Sequence, residues 1–200
     1  MHVGIQRRTI YLEPLRSMEV LWVSSLLDDE EIAEMFALHH QVPGWHFRNH
    51  VKDGRAVVGT IRRVVDGVRI GFAVMFAPDP VRTYWEIAAA IPQKRHRDGF
   101  SMLHTVDAMS HYMFDVRGVE LCGARVRLDN TASEAVVKRL GYQRVRQEMS
   151  GGELHWVYNI NRADWARRRT KLEAGELTHP SGAGAAFVIL QGPPFEPIRP

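Results

Sequence analysis

Glu86-Ile87-Ala88-Ala89-Ala90-Ile91-Pro92-Gln93-Lys94-Arg95-His96-Arg97-Asp98-Gly99-Phe100-Ser101 is the stretch on which the fold turns. Its first six residues complete the run Thr83 to Ile91, an apolar strand closed by Pro92, which has no N–H to donate. The basic cluster Lys94 to Arg97 then leads through Gly99 into a helix over Phe100 to Phe114. Leu103, Val106, Met109 and Met113 recur on one face of that helix. A loop feeding a helix N-terminus aims unpaired N–H groups and the positive end of the dipole at one spot, which suits an anion. Gly99 permits close backbone approach, and three alanines keep the preceding strand low enough for a thin ligand to lie along it.

Upstream, Ala56 to Ile61 and Ile70 to Phe76 read as strands joined at Asp66-Gly67, a hairpin turn. With a second turn at Pro78-Asp79-Pro80 they form an antiparallel meander with the Thr83 strand. Arg8 to Glu13 is a first strand closed by Pro14. Ser17 caps a helix carrying Val20, Leu21, Val23 and Leu26, and the acidic Asp28 to Glu31 opens a second helix ending near His40. Downstream come a strand over Val119 to Leu128, a helix over Asn130 to Leu140 stopped by Gly141, and a hairpin of Tyr142 to Gln147 with Leu154 to Ile160. A short helix follows over Arg162 to Lys171. Tight turns between the middle strands make the expected fold α/β (α+β), a mixed, mostly antiparallel central sheet flanked by helices. Residues 1–171 are expected to form one domain, and residues 172–200 a Gly/Pro-rich C-terminal tail. Within the tail, Phe187 to Leu190 is a strand able to extend this sheet or that of a second copy, which allows a homodimer.

The 200 residues, 45% hydrophobic and 24% charged, suit one globular domain that needs neither disulfide nor metal to fold. The single cysteine, Cys122, sits in an apolar strand and reads as a buried structural thiol; it suits a cytoplasmic setting. No stretch is long and apolar enough to cross a bilayer, and the first eight residues are too polar for a secretory signal. A net charge of +3 is too mild to argue for nucleic acid, despite arginine clusters at Arg62-Arg63 and Arg167 to Arg169. His39, His40, His46 and His50 lie close in sequence, but without cysteine partners or a defined spacing no metal site is expected.

Two further segments complete the pattern: Asn130-Thr131-Ala132-Ser133 through Leu140-Gly141-Tyr142, and a closing strand followed by Arg162-Ala163-Asp164-Trp165. With the Glu86 strand and its loop, these resemble the GNAT superfamily of N-acetyltransferases, most nearly the branch that acetylates ribosomal-protein N-termini. The resemblance spans roughly residues 8 to 168 and rests mainly on the part after residue 84. It implies acetyl-CoA as co-substrate, lying between the Glu86 strand and the Val119 strand. Its pyrophosphate would rest on backbone amides of Arg95, His96, Arg97, Asp98, Gly99, Phe100 and Ser101. Ala88, Ala89, Ala90 and Ile91 would flank its arm, with an N–H near Ala88 to Ala90 facing the oxyanion, and Asn130 would bond the arm or cap its helix. Glu86 takes the place of the catalytic base, or else pairs with an arginine. The acceptor is an amine, on a protein N-terminus or a small molecule. Three positions depart from the family pattern: His96 opens the loop motif, Arg97 replaces an extra glycine, and Ser101 replaces Gly/Ala. A fourth, Val137, stands where many members carry a tyrosine acid. These departures keep two alternatives open, a binding or regulatory protein without turnover and a nucleic-acid-modifying enzyme of the same fold.

Overall fold

The computed structural model describes residues 5–6, 9–15, 17–27, 32, 54–78, 83–98, 100–150, 152–174, 176 and 188–189. In chain order the strands are β1 Ile5–Gln6, β2 Ile10–Pro14, β3 Ala56–Arg63, β4 Arg69–Phe76, β5 Tyr84–Ala90, β6 Leu121–Arg127, β7 Gln143–Ser150, β8 Glu153–Asn161 and β9 Val188–Ile189. The helices are α1 Val20–Leu27, α2 Phe100–His111, α3 Thr131–Arg139 and α4 Arg162–Glu173. Among the described residues the strands form one sheet, ordered β7-β8-β6-β5-β4-β3-β2-β1-β9.

The expected meander is present. β3 and β4 turn at Asp66-Gly67, where Gly67 takes a φ of +68° and the Asp66 carboxylate accepts the Val68 N–H at 3.1 Å. β4 then pairs antiparallel with β5 from Phe72↔Ala90 to Phe76↔Glu86. β5 and β6 are the parallel pair, in register only at Tyr84↔Leu121, Trp85↔Cys122 and Glu86↔Gly123. Beyond that row β5 stays on β4, while β6 follows β8 from Leu121↔Asn161 to Arg127↔His155. The two middle strands therefore part, and the sheet opens as a V at Glu86.

The sheet has a core on each side. Trp85, Ile87, Met109, Cys122, Tyr158 and Trp165 belong to the side of α2, and Val23, Val58, Phe72, Val74 and Ala90 to the side of α1. Burial pushes the Cys122 thiol up to about 12, as befits a structural cysteine.

Two expectations need correction. The helix after Gly99 has the right period, yet its polar residues are buried as well, including Thr105, Asp107, Ser110 and His111. It packs against β2, β4 and β5 and also against α3, so it has no solvent face to keep polar. Its hydroxyls bond within the protein: Thr105 to the Ser101 carbonyl at 2.7 Å, Ser110 to that of Val106 at 2.8 Å. Nor does the helix end at Phe114: after His111 it passes into one π turn over Tyr112–Val116, sealed by Arg117 N–H to Tyr112 O at 2.9 Å. The tail strand takes the first of its two expected roles. β9 pairs with β1 at Ile5↔Ile189 and Gln6↔Val188, extending this chain's own sheet. The second acidic helix except Ile32, the histidines from His39 to His50, Asp79-Pro80 and Gly99 lie outside the described residues.

Candidate active site

Strand alternation divides β5 between two environments. Trp85, Ile87 and Ala89 point to the α2 side, whereas Ala88 and Ala90 pack in the core on the α1 side. Glu86 and Tyr84 share the parity of Ala88, so they stand on the α1 face of the sheet. The three alanines expected to form one floor thus face two ways.

On the α2 side lies a cleft of about 500 Å³, open at one end. One wall is Ala89, Ile91, Met102 and Leu103; the other is Asn130, Ala132, Ser133, Ala135, Val136 and Arg139 of α3. Arg97 stands at its rim. Small side chains on both walls and a cation on each fit a slender anionic ligand. Asn130 caps α3 by accepting the Ser133 N–H at 3.0 Å, and it lines the cleft as well. Gly141 ends the same helix at a φ of +90°, with the Tyr142 N–H returning to Val137 O at 3.1 Å.

The loop between β5 and α2 uses several of its amides internally. A short 3-10 turn over Lys94–His96 directs the His96 N–H to Gln93 O at 2.9 Å and the Arg97 N–H to Lys94 O at 3.0 Å. The Asp98 carboxylate accepts the Ser101 N–H at 2.7 Å and the Ser101 hydroxyl at 3.0 Å, so it sits at the α2 N-terminus. The Arg97 guanidinium donates to Ile91 O at 2.8 Å and Pro92 O at 2.9 Å, pinning the loop to the end of β5. His96 is buried, and that burial, followed by the charges of Arg63 and Arg95, lowers its pKa. Its Nε2 accepts from Arg95 Nε at 3.3 Å. Arg95 and Phe100 are exposed, and neither lines the cleft.

Across the V, Glu86 is buried and its Oε1 accepts from Arg125 Nη2 of β6 at 2.7 Å. Burial raises the pKa of the carboxyl, and the adjacent Arg125 charge works against that rise. Arg125 also lies 3.8 Å from Glu148 of β7. A carboxylate with a raised pKa and one oxygen anchored is a stronger base than an exposed one and is held ready to accept a proton.

Of the residues singled out in the sequence, the cleft gathers Ala89, Ile91, Arg97 and Asn130. Ala88 and Ala90 lie on the other face, and Glu86 stands there with Arg125, the pairing foreseen as its other role. Val137 is buried in the core. Arg139, Arg125 and Tyr84 escaped notice. The alternation Ala124-Arg125-Val126-Arg127 was the available signal for Arg125: two charges on the open face of a half-buried strand. Arg162-Ala163-Asp164-Trp165 proves to be architectural. Trp165 stacks on Phe114 with centroids 5.6 Å apart and donates to Asp115 at 3.1 Å, docking α4 on the π turn. Among the described residues no group of three or more His, Cys, Asp or Glu side chains is placed to hold a metal, and no helix is long and apolar enough to cross a membrane.

A parallel pair that opens into a V, with a narrow basic-rimmed cleft on one side and a buried carboxylate on the other, is the architecture of an acyl-carrier-dependent transferase. The family model of the acetyltransferase (GNAT) domain matches residues 8–143, more than half of the chain. The chain therefore belongs to the GNAT acetyltransferases and is an acyl-CoA-dependent acetyltransferase with acetyl-CoA as co-substrate. Solved structures share the fold. RimJ of Mycobacterium smegmatis, in complex with CoA-disulfide, superposes with a TM-score of 0.64 at 19% identity, over 88% of this chain and 95% of that one. Spermidine N-acetyltransferase from Vibrio cholerae, in complex with CoA and spermine, gives 0.65 at 12% identity, over 78% and 98%. A GNAT-family acetyltransferase from Bacillus anthracis gives 0.62 at 15%, over 80% and 99%. No curated protein matches the sequence.

Proposed function

We propose that the chain moves the acetyl group of acetyl-CoA onto an amine by direct attack in a ternary complex, with Glu86 as the base. The observation that carries this reading is the division of the site by the V: a slim basic-rimmed cleft on the α2 side and the Glu86 carboxylate on the other. The pantetheine arm would run along Ala89 and Ile91 against Asn130 and Ala135 of α3. Because the His96, Arg97 and Ser101 amides are engaged within the loop, the pyrophosphate would rely on the Arg97 and Arg139 guanidiniums more than on the helix N-terminus. The acetyl carbonyl would come to the opening of the V, where an N–H of β5 beyond Glu86 faces the developing oxyanion. Glu86 would take the ammonium proton, its orientation fixed by Arg125.

The acceptor is an exposed primary amine, on a protein N-terminus or a polyamine-like small molecule. The fold shared with a spermidine N-acetyltransferase solved with CoA and spermine supports the small-molecule class, and the resemblance to the ribosomal-protein branch supports the other. The test is release of CoA thiol from acetyl-CoA with spermine and with a peptide bearing a free N-terminus. Product from either establishes the transferase and selects its acceptor class. A second reading, a binding protein without turnover, draws on the Asp98 carboxylate already seated at the α2 N-terminus. Tight acetyl-CoA binding with no thiol release from any amine would select it.

A further inference from the structure

Tyr84 precedes Glu86 by two residues on β5, so both side chains rise from the same face of the sheet. The Tyr84 ring crosses onto β6 and its hydroxyl ends over Gly123. A methyl group at position 123 would lie 2.1 Å from the Tyr84 hydroxyl oxygen and 2.7 Å from its Cε2. Only glycine leaves room for the phenol there. Gly123 is also the register partner of Glu86, in the last row before β5 and β6 part. The phenol oxygen therefore sits at the foot of the V, level with the carboxylate. It is buried with the Glu86 carboxylate close enough to act on it, though no partner among the described residues sits at full hydrogen-bond geometry; the latter holds too for Asn159 Oδ1, 2.6 Å from the same methyl position. The phenol oxygen and the Asn159 amide oxygen thus meet beside Gly123, in the row that carries Glu86.

Charged groups from three strands surround this spot: Glu86 of β5, Arg125 of β6, and Arg146 and Glu148 of β7. Burial and then the Glu86 charge hold the Tyr84 phenol well above its ordinary range, against Arg125 and Arg146, so it stays protonated. Val137 of α3, where the family resemblance would place an acid, is buried and has no proton to give.

Resting on the transferase reading above, we propose that the Tyr84 hydroxyl is the second proton carrier of the site, delivering to the leaving thiolate the proton that Glu86 removes from the amine. The Glu86 carboxylate takes one proton from the ammonium. The freed nitrogen lone pair forms the C–N bond to the thioester carbonyl carbon. The C–S bond then breaks and its electron pair goes to sulfur, which takes the Tyr84 proton as the Glu86 carboxyl returns a proton to the phenol oxygen. The second nitrogen proton leaves through Glu86 to water. Amide, thiol and one released proton balance ammonium and thioester.

The test measures CoA-thiol release from acetyl-CoA, with spermine and with a free N-terminal peptide, across pH. It compares wild type, Tyr84→Phe, and a chain with ring-fluorinated tyrosine in place of Tyr84. The Tyr84→Phe substitution is expected to lower kcat by about 100-fold, with acetyl-CoA affinity unchanged by calorimetry. Its acid limb moves to higher pH, because the hydroxyl helps hold the Glu86 pKa down. Fluorination keeps the shape and lowers the phenol pKa, so the alkaline limb should move down with it, which a packing role would not produce. Retention of kcat to within about threefold in Tyr84→Phe, or a fluorinated chain with an unmoved profile, overturns the proposal. Should Tyr84→Phe fail to fold, the fluorinated chain still decides. Wild type that binds acetyl-CoA but acetylates neither amine sinks the transferase reading itself, and the relay with it.

Discussion

On the α2 side, β5 and the residue after it offer Ala89 and Ile91, small or apolar groups beside a cleft whose charges sit only at the rim. On the α1 side the same strand carries half-buried Tyr84 and buried Glu86, the latter bonded to Arg125, which in turn lies near Glu148. Two residues of strand separate a surface for holding a ligand from one for moving protons. The contrast comes from the pleat, because adjacent residues of one strand look into different media. Selective damage to one face should therefore leave the other working.

The largest effect is expected for Glu86→Gln. Loss of the base should lower kcat by ~100- to 10,000-fold while acetyl-CoA binding, measured by calorimetry, stays as in wild type. A variant that keeps full turnover would remove Glu86 from the chemistry. The pH profile sharpens the point. Burial raises the Glu86 pKa above the ordinary 4.5 and Arg125 restrains that rise. A base works when deprotonated, so activity should increase as pH climbs through the raised value. Arg125→Met removes the restraint, and the acid limb of kcat should move further towards alkaline pH. An acid limb that stays in place would separate the two residues.

Ala135→Trp attacks the other face. Ala135 is exposed on α3 and lines the cleft, so an indole there occupies the space without disturbing the core. Acetyl-CoA affinity should fall by about tenfold or more, one or more units of ~1.4 kcal/mol, with the melting temperature near wild type. Unchanged affinity would place the co-substrate elsewhere. Gly123→Ala has a comparable effect, on stability instead of binding. Its methyl group meets the Tyr84 hydroxyl oxygen at 2.1 Å, an overpacking expected to cost ~1–3 kcal/mol in denaturant unfolding. Tyr84→Ala in the same chain should relieve part of that cost, and strictly additive losses would show that the contact is not the cause.

The smallest effects compare two caps. Asn130 and Asn161 each accept an N–H at the start of a helix, from Ser133 at 3.0 Å and Asp164 at 2.8 Å. Asn130→Ala and Asn161→Ala should each lose ~1 kcal/mol of stability. Only the first borders the cleft, so only the first should also weaken acetyl-CoA binding. Equal affinities in the two variants would confine Asn130 to capping.

Much of this architecture was legible in the residue pattern. Asp66-Gly67, the Gly141 stop and the alternating apolar runs place β3 to β5 and α3 through local rules alone. β1 has two residues, too few for any period to register, whereas β9 falls within the apolar run Phe187 to Leu190 and only its partner strand was open. The period of α2 was plain, but its burial on all sides depends on layers contributed by distant segments. The candidate site divides in the same way. Ala89, Ile91, Arg97 and Asn130 belong to segments whose spacing already suggested a ligand. Arg125, Tyr84 and Asn159 matter through the register of β5, β6 and β8, which brings residues from separate parts of the chain into neighbouring rows around Gly123. Even the alanine run held the information, since simple alternation splits it between two faces.

The notch at Gly123 constrains how this chain can drift through sequence space. With the phenol in place, any side chain at 123 collides with it; with the phenol gone, glycine loses its steric reason to persist. Positions 84 and 123 should therefore change hands together among descendants of this chain, a bulky ring opposite a bare backbone or two modest side chains opposite each other. They lie far apart in the chain, yet they would be inherited as one character.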